Sequence, residues 1–368
     1  MRILFWPGNF WPVIGGAEVL AGQLLPALQE RGYEFTVVTS RRPLDRPNEE
    51  IYKGIPVHRF PFRENLNQVS ELVEIKQRVQ NLKKQFAPDL IHISAVERDH
   101  VFHLLTAQAY PVPLLITLHN VLTQEVEKSD SWLRRLVTSA DWVSCVSVSV
   151  LTATRMMLPN TACRSSVVYN GLDIPAVVPK GAPADVPQLL CLGRLKARKG
   201  FDLALTAFAS IIQRFPQVRL VVAGDGPERP SLERQAARLG IAGVVDFIGW
   251  VDPGDIPKVV AKATAVVMPS RHEPFGLVAL DAALMARPIV ASRVGGLAEV
   301  VTHRETGLLV EPEDSAGVAE ALAFLLENHD LAAEMGRVAR ERAQEVFSWN
   351  RCVSGYDELY QKLAHRAG

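Results

Sequence analysis

Short apolar runs alternate with longer segments whose apolar residues recur every three or four positions, and the alternation persists from one end of the chain to the other. In the first half, Arg2–Trp6, Phe35–Thr39, Ile51–Arg59, Leu90–Ile93, Leu114–Leu118, Trp142–Val146 and Val167–Tyr169 read as strands. Helices are expected from Gly15-Gly16 to Arg31, over Val69–Phe86 and over Val101–Ala109. The second half restarts the pattern, with strands at Gln188–Leu192, Arg219–Ala223, Val244–Gly249, Ala265–Met268 and Ile289–Ala291. Its helices are expected over Phe201–Phe215, Glu228–Leu239, Ile256–Ala263, the run from Leu277 towards Pro288, Ala316–Leu326, Leu331–Val346 and Trp349–Leu363. Strands alternating with helices at this rhythm imply α/β architecture, a parallel sheet wrapped on both faces in each half. Between the halves, Leu172–Val186 is rich in Pro, Ala and Gly and reads as a semi-extended linker.

Composition narrows this picture. At 368 residues the chain exceeds the roughly 250–300 at which one core splits, so two domains are expected, 1–173 and 174–348. Lys+Arg and Asp+Glu are 40 each, so no global field points to nucleic acid or an anionic bilayer. Cys145, Cys163, Cys191 and Cys352 lack CxxC spacing and read as reduced thiols rather than a disulfide or zinc framework. The N-terminal apolar run is shorter than a signal peptide, and no run approaches the ~18 apolar residues of a membrane span. A cytoplasmic protein is expected. Peripheral contact with the inner face of a membrane stays open, through Lys76, Lys83 and Lys84 or through Trp132-Leu133-Arg134-Arg135, although Glu71, Glu74 and Asp130 dilute both faces.

The chemistry-bearing residues gather at the predicted carboxyl ends of strands, where parallel sheets bind ligands. In the second half these are Arg194 and Lys199, Gly224 and Gly226, Glu273, and Gly295-Gly296. Arg194 and Lys199 span a loop without an acid and can converge on one anion, although a solvated basic turn would read the same way. Glu273 precedes a helix start that offers free amides to an anion, and Asp281 follows eight residues later. That pair reads equally as a loop acid and a helix-surface Asp. In the first half, Gly15-Gly16 opens a helix and either cradles a phosphate or relieves packing, and His119 ends a strand. Gly224-Asp225-Gly226-Pro227 departs from the dinucleotide fingerprint, because Arg229 stands where its third Gly should be. Neither a nucleophile elbow nor an HExxH metal motif is present.

Together these residues resemble the retaining glycosyltransferases of the GT-B fold, family 4 in the usual sequence classification. The resemblance is carried by Gly15-Gly16-Ala17-Glu18, Thr117-Leu118-His119, Val168-Tyr169-Asn170-Gly171-Leu172-Asp173, Gly193-Arg194 with Lys199-Gly200, Ala223-Gly224-Asp225-Gly226-Pro227, Glu273-Pro274-Phe275-Gly276-Leu277 and Val294-Gly295-Gly296. It implies two Rossmann-like domains facing across a cleft, with residues 349–368 crossing back to complete the first, acceptor-binding domain. The second would bind a nucleotide-sugar donor. The resemblance gives Arg194 and Lys199 the donor diphosphate, Glu273 the donor sugar and His119 the transferred sugar. The amides of Gly16, Phe275, Gly276 and Leu277 would meet sugar or phosphate, and Trp250 and Val251 would lie beside the base. Asp281 stands where the family usually carries Glu for the ribose. Gly15, Gly224 and Gly226 complete the expected donor-binding set.

The implied reaction is hexosyl transfer with retention from a UDP-sugar, favoured over a GDP-sugar, to a hydroxyl acceptor. That acceptor is a sugar, a lipid-linked molecule or a small molecule. No cofactor or metal is expected. Phe10, Trp11 and Glu97-Arg98-Asp99 are further candidates for the acceptor site. A nucleotide-sugar 2-epimerase and a non-catalytic nucleotide-sugar-binding protein are the alternatives.

Overall fold

The computed structural model describes residues 1–62, 69–128, 130–175 and 186–365. Most of the expected linker, 176–185, lies outside these residues. The chain forms two compact units, Met1–Tyr169 with Cys352–Gly368, and Asn170–Arg351.

The first unit is built on an eight-stranded sheet in the order β3-β4-β2-β1-β5-β6-β7-β8. Its strands are β1 (Arg2–Pro7), β2 (Glu34–Ser40), β3 (Glu49–Tyr52), β4 (Ile55–Phe60), β5 (Leu90–Ser94), β6 (Leu114–Leu118), β7 (Trp142–Cys145) and β8 (Ser165–Val167). Helices α1 (Gly16–Gln29), α2 (Val69–Phe86), α3 (Val101–Thr106), α4 (Trp132–Ser139) and α5 (Val148–Met157) connect them. The parallel strands β1, β2, β5, β6 and β7 are buried along nearly all of their length because both faces of the sheet are covered there. The segment expected as one strand over Ile51–Arg59 is instead a hairpin. Lys53 and Gly54 both take positive φ, 48° and 83°, which turns β3 back along β4 as the antiparallel edge. The expected helix over Val101–Ala109 tightens to a 3-10 turn at Ala107–Ala109.

The second unit is a six-stranded parallel sheet in the order β11-β10-β9-β12-β13-β14. It comprises β9 (Gln188–Leu192), β10 (Arg219–Ala223), β11 (Val245–Gly249), β12 (Ala265–Met268), β13 (Ile289–Ser292) and β14 (Gly307–Val310). Between and after them run α6 (Phe201–Ile211), α7 (Arg229–Arg238), α8 (Ile256–Ala261), α9 (Leu277–Leu284), α10 (Leu297–Val300), α11 (Ser315–Glu327) and α12 (His329–Val346). One core joins Leu189, Cys191, Leu220 and Val222 of the sheet to Leu205 and Phe208 of α6 and Leu322 and Leu325 of α11. The winding reverses between β9 and β12, which are neighbours although the chain visits β10 and β11 between them. The equivalent reversal in the first unit lies between β1 and β5. At such a switch point, adjacent loops leave the sheet in opposite directions and open a crevice.

The final helix, α13 (Trp349–Ala364), enters the first unit at Cys352. There the Tyr360 hydroxyl hydrogen-bonds His92 Nδ1 at 2.7 Å, and His92 Nε2 hydrogen-bonds Thr117 Oγ1 at 2.8 Å. Burial, with His119 adding, pushes His92 down to about 3, so this imidazole is neutral and structural. Arg31 and Tyr33 both hydrogen-bond the Asp357 carboxylate.

Lys83 does not join Lys76 and Lys84 on a basic surface. It is fully buried, its Nζ donates to Thr106 Oγ1 at 2.8 Å, and burial pushes it down to about 7. Trp132-Leu133-Arg134-Arg135 likewise presents no continuous patch, since Leu133 is buried and Arg134 reaches the Val126 carbonyl. Among the described residues no helix is long and apolar enough to cross a membrane.

Tyr360→Phe removes the hydroxyl from a buried imidazole and is expected to lower stability by about 1–3 kcal/mol. Urea unfolding followed by tryptophan fluorescence checks this, and an unchanged midpoint would show that the pair does not anchor α13.

Candidate active site

At the switch point of the second unit, the loop after β9 (193–200) lies against the loop after β12 (269–276). Arg271 N and His272 N donate to the Arg198 carbonyl at 2.8 and 3.3 Å. Gly200 holds φ at 68°, and a Cβ on it would collide with the Pro269 carbonyl. The glycine therefore permits backbone to touch backbone between the two loops. The same device recurs along the edge. Cβ atoms on Gly224 and Gly226 would strike the carbonyls of Gly193 and Leu195, and one on Gly295 would strike that of Glu273. Hydrogen bonds complete the packing, from Gly193 N to Ala223 O at 2.9 Å, Leu195 N to Asp225 O at 2.9 Å and Gly296 N to Glu273 O at 3.0 Å. Gly224 and Gly226, expected as donor-binding positions, are thus already required by the contact between loops.

This packing brings Lys199 and Glu273 together as an ion pair, although 74 positions separate them in sequence. Both side chains are largely buried, at 16% and 9% exposure, whereas Arg194 is exposed at the other end of its loop. Glu273 is followed by Phe275, whose ring packs edge-on against Phe347 with centroids 5.8 Å apart. Gly276 takes φ 106° and releases the chain into α9 at Leu277, leaving the first amides of that helix without intrahelical acceptors. The Phe275 ring is committed to packing and is not offered to a ligand.

Asp281 is the fifth residue of α9, just over one turn into it, because the helix begins at Leu277. Burial pushes its carboxyl up to about 7, although part of the residue reaches solvent. Trp250 follows β11, half-exposed, with Nε1 donating to Asp252 Oδ1 at 3.3 Å, and Val251 beside it is partly exposed.

In the first unit, Gly15 precedes α1 with extended backbone, and a Cβ there would meet the Glu18 carboxylate. Gly16 is the exposed first residue of α1. His119 follows β6, with its Nε2 hydrogen-bonded to Ser94 Oγ at 3.0 Å. Burial pushes this imidazole down to about 4, so it is neutral at physiological pH. Ser94 was not singled out in the sequence, although its position at the end of β5, beside β6, was the available signal. Two acceptor candidates are withdrawn. Phe10 is fully buried against Tyr52, and Asp99 is buried, accepting from Ser40 Oγ at 2.8 Å. Trp11 stays partly exposed beneath the Arg46 guanidinium. Among the described residues no cluster of His, Cys, Asp or Glu could hold a metal ion.

These features define a two-domain glycosyltransferase of the GT-B fold, and comparison with known proteins agrees. Residues 14–175 match the profile of Glycosyltransferase Family 4, and 177–342 that of Glycosyl transferases group 1. The chain belongs to that family. It is 29% identical to glycogen synthase of Mycobacterium tuberculosis, over 100% of this chain and 96% of that one. Sucrose-phosphate synthase of Thermosynechococcus elongatus shares the fold, with a TM-score of 0.84 at 24% identity over 100% of both chains. Anabaena HepE, solved with UDP, superposes with a TM-score of 0.82 at 26% identity, covering 99% of this chain and 100% of that one. Glycosyl transfer is therefore the activity.

Gly200→Ala combines left-handed strain with a backbone collision, whereas at Gly240 (φ 72°) a Cβ would meet nothing. Gly200→Ala is expected to cost about 1–3 kcal/mol more than Gly240→Ala, and equal urea stability of the two variants would refute the tight approach. For Asp281, the native state retains a proton that the unfolded chain, with a carboxyl near ~4, releases. Stability contributed by this group is thus present at low pH and lost as pH rises towards about 7. Asp281→Asn should flatten the decline in urea stability between about pH 4 and 7, and a parallel decline in variant and wild type would contradict the raised value.

Proposed function

We propose that the chain transfers a hexosyl group, with retention and without a metal ion, from a UDP-sugar to a hydroxyl of an acceptor. The observation that carries this reading is the meeting of Lys199 with Glu273 at the switch point, beside the amides that open α9. A carboxylate held by a lysine is already placed as an acceptor of hydrogen bonds, and sugar hydroxyls are the donors it would take in exchange. The ammonium so released, with the Arg194 guanidinium, meets the diphosphate. In the first unit, the neutral imidazole of His119 hydrogen-bonds the transferred sugar. Asp281 meets the ribose, its carboxyl one methylene shorter than the usual Glu.

As the anomeric carbon parts from the diphosphate oxygen, negative charge grows on that oxygen, where Arg194 and Lys199 stabilise it. The acceptor oxygen bonds the same face of that carbon and passes its proton to the departing diphosphate. An axial donor then gives an axial product. The preference for uridine leans on HepE, which was solved with UDP and with UDP-glucose at 26% and 25% identity.

Calorimetry with UDP, GDP and ADP should find UDP the tightest, and tighter binding of another nucleotide would overturn the uridine assignment. Proton NMR of the product should show the axial anomer, formed at an undiminished rate in excess EDTA. An equatorial product would sink the same-face mechanism, and loss of activity in EDTA its independence from metal. Lys199→Ala should lower kcat/KM by about 10²–10³-fold with the fold intact, and activity within threefold of wild type would remove Lys199 from the site.

A further inference from the structure

The loop carrying Glu273 is fixed by a residue that the donor-binding reading leaves unused. Arg271 stands two positions before Glu273, and all five of its guanidinium N–H groups have acceptors. Nη1 donates to the Ala197 carbonyl at 2.7 Å and to Asp202 Oδ1 at 2.8 Å. Nη2 donates to Asp202 Oδ2 at 2.7 Å and Glu313 Oε2 at 3.1 Å, and Nε to Glu313 Oε1 at 2.6 Å. Ala197 belongs to the loop that carries Lys199, Asp202 to the first turn of α6, and Glu313 to the turn after β14. Glu313 itself takes a left-handed φ of 62°, which a non-glycine residue keeps only where its surroundings hold it. Here its carboxylate is held by both bonds to Arg271. One planar side chain thereby joins three segments in a fixed register.

We propose that Arg271 is a positioning residue, whose saturated guanidinium sets the spacing between the Lys199 loop and the Glu273 loop and so aims Lys199 at the donor diphosphate. This rests on the reading that Lys199 meets that diphosphate. The function requires a planar fork with five donors. A lysine, with three donors on one point charge, cannot span two carboxylates and a carbonyl together.

A double-mutant cycle on nucleotide binding separates positioning from general support of the fold. The probe is UDP, or GDP or ADP should one of these bind wild type more tightly, with Kd measured by calorimetry on folded protein. Lys199→Ala should weaken binding about 10- to 100-fold. Arg271→Ala and Arg271→Lys should each weaken it about tenfold in the wild-type background, and at most about twofold once Lys199 is already Ala. Should Arg271→Ala not fold, Glu313→Ala removes two of the five hydrogen bonds of the clamp and should show the same loss of effect in the Lys199→Ala background. Multiplicative losses, or full binding by Arg271→Lys, would overturn the proposal while leaving the donor site standing. No effect of Lys199→Ala, or no nucleotide bound by wild type, would overturn the donor reading and this inference with it.

Discussion

The site depends on a steric constraint: backbone must touch backbone where the loops after β9 and β12 leave the sheet. Gly200 against the Pro269 carbonyl is the tightest of these approaches, and Gly224, Gly226 and Gly295 repeat it along the same edge. A side chain at Gly200 would push apart the two loops on which Lys199 and Glu273 meet, and one at Gly224, Gly226 or Gly295 would displace a neighbouring loop. The glycines, which a sequence motif presents as ligand contacts, have their first physical reason in the protein itself. Ligand contact, where it occurs, uses a surface that this packing has already built.

Charge on that frame is arranged in two paired sets, Lys199 with Glu273 and Arg271 with Asp202 and Glu313. Lys199 and Glu273 neutralise each other in a largely buried position, where an unpaired charge would be expensive. Arg271 and its carboxylates form a second, more exposed set that holds the loops, and the two sets use cations of different shape for different tasks. A planar fork ties three segments together, and a point charge is free to change partner. Asp281 stands apart from both sets, and burial keeps its carboxyl protonated to about neutral pH.

Much of this was legible in the sequence. The strands at Gln188–Leu192, Arg219–Ala223 and Leu114–Leu118 fall where apolar runs end at Gly or a polar residue, and α2 runs from Val69 to Phe86 as its periodicity implies. What was not legible depends on contacts distant along the chain. Lys83 looks like any helix lysine until Thr106 and Trp6 are packed over it. Phe10 looks like a loop aromatic until Tyr52 covers it. The hairpin at Lys53-Gly54 was hidden because its apolar alternation runs on across a two-residue turn. Nothing local to Arg271 marks its guanidinium as reaching Asp202 and Glu313, 69 and 42 positions away. The strand β14 (Gly307–Val310) was not expected from the sequence.

The central claim is that donor diphosphate binds at the switch point of the second unit by taking Lys199 from Glu273. A crystal structure with UDP tests it most directly. The account predicts a phosphate oxygen within about 3 Å of Lys199 Nζ, a distance fit for a charge-assisted hydrogen bond, with Glu273 released to face the place of the sugar. A diphosphate bound elsewhere, with the Lys199–Glu273 pair intact, would contradict it.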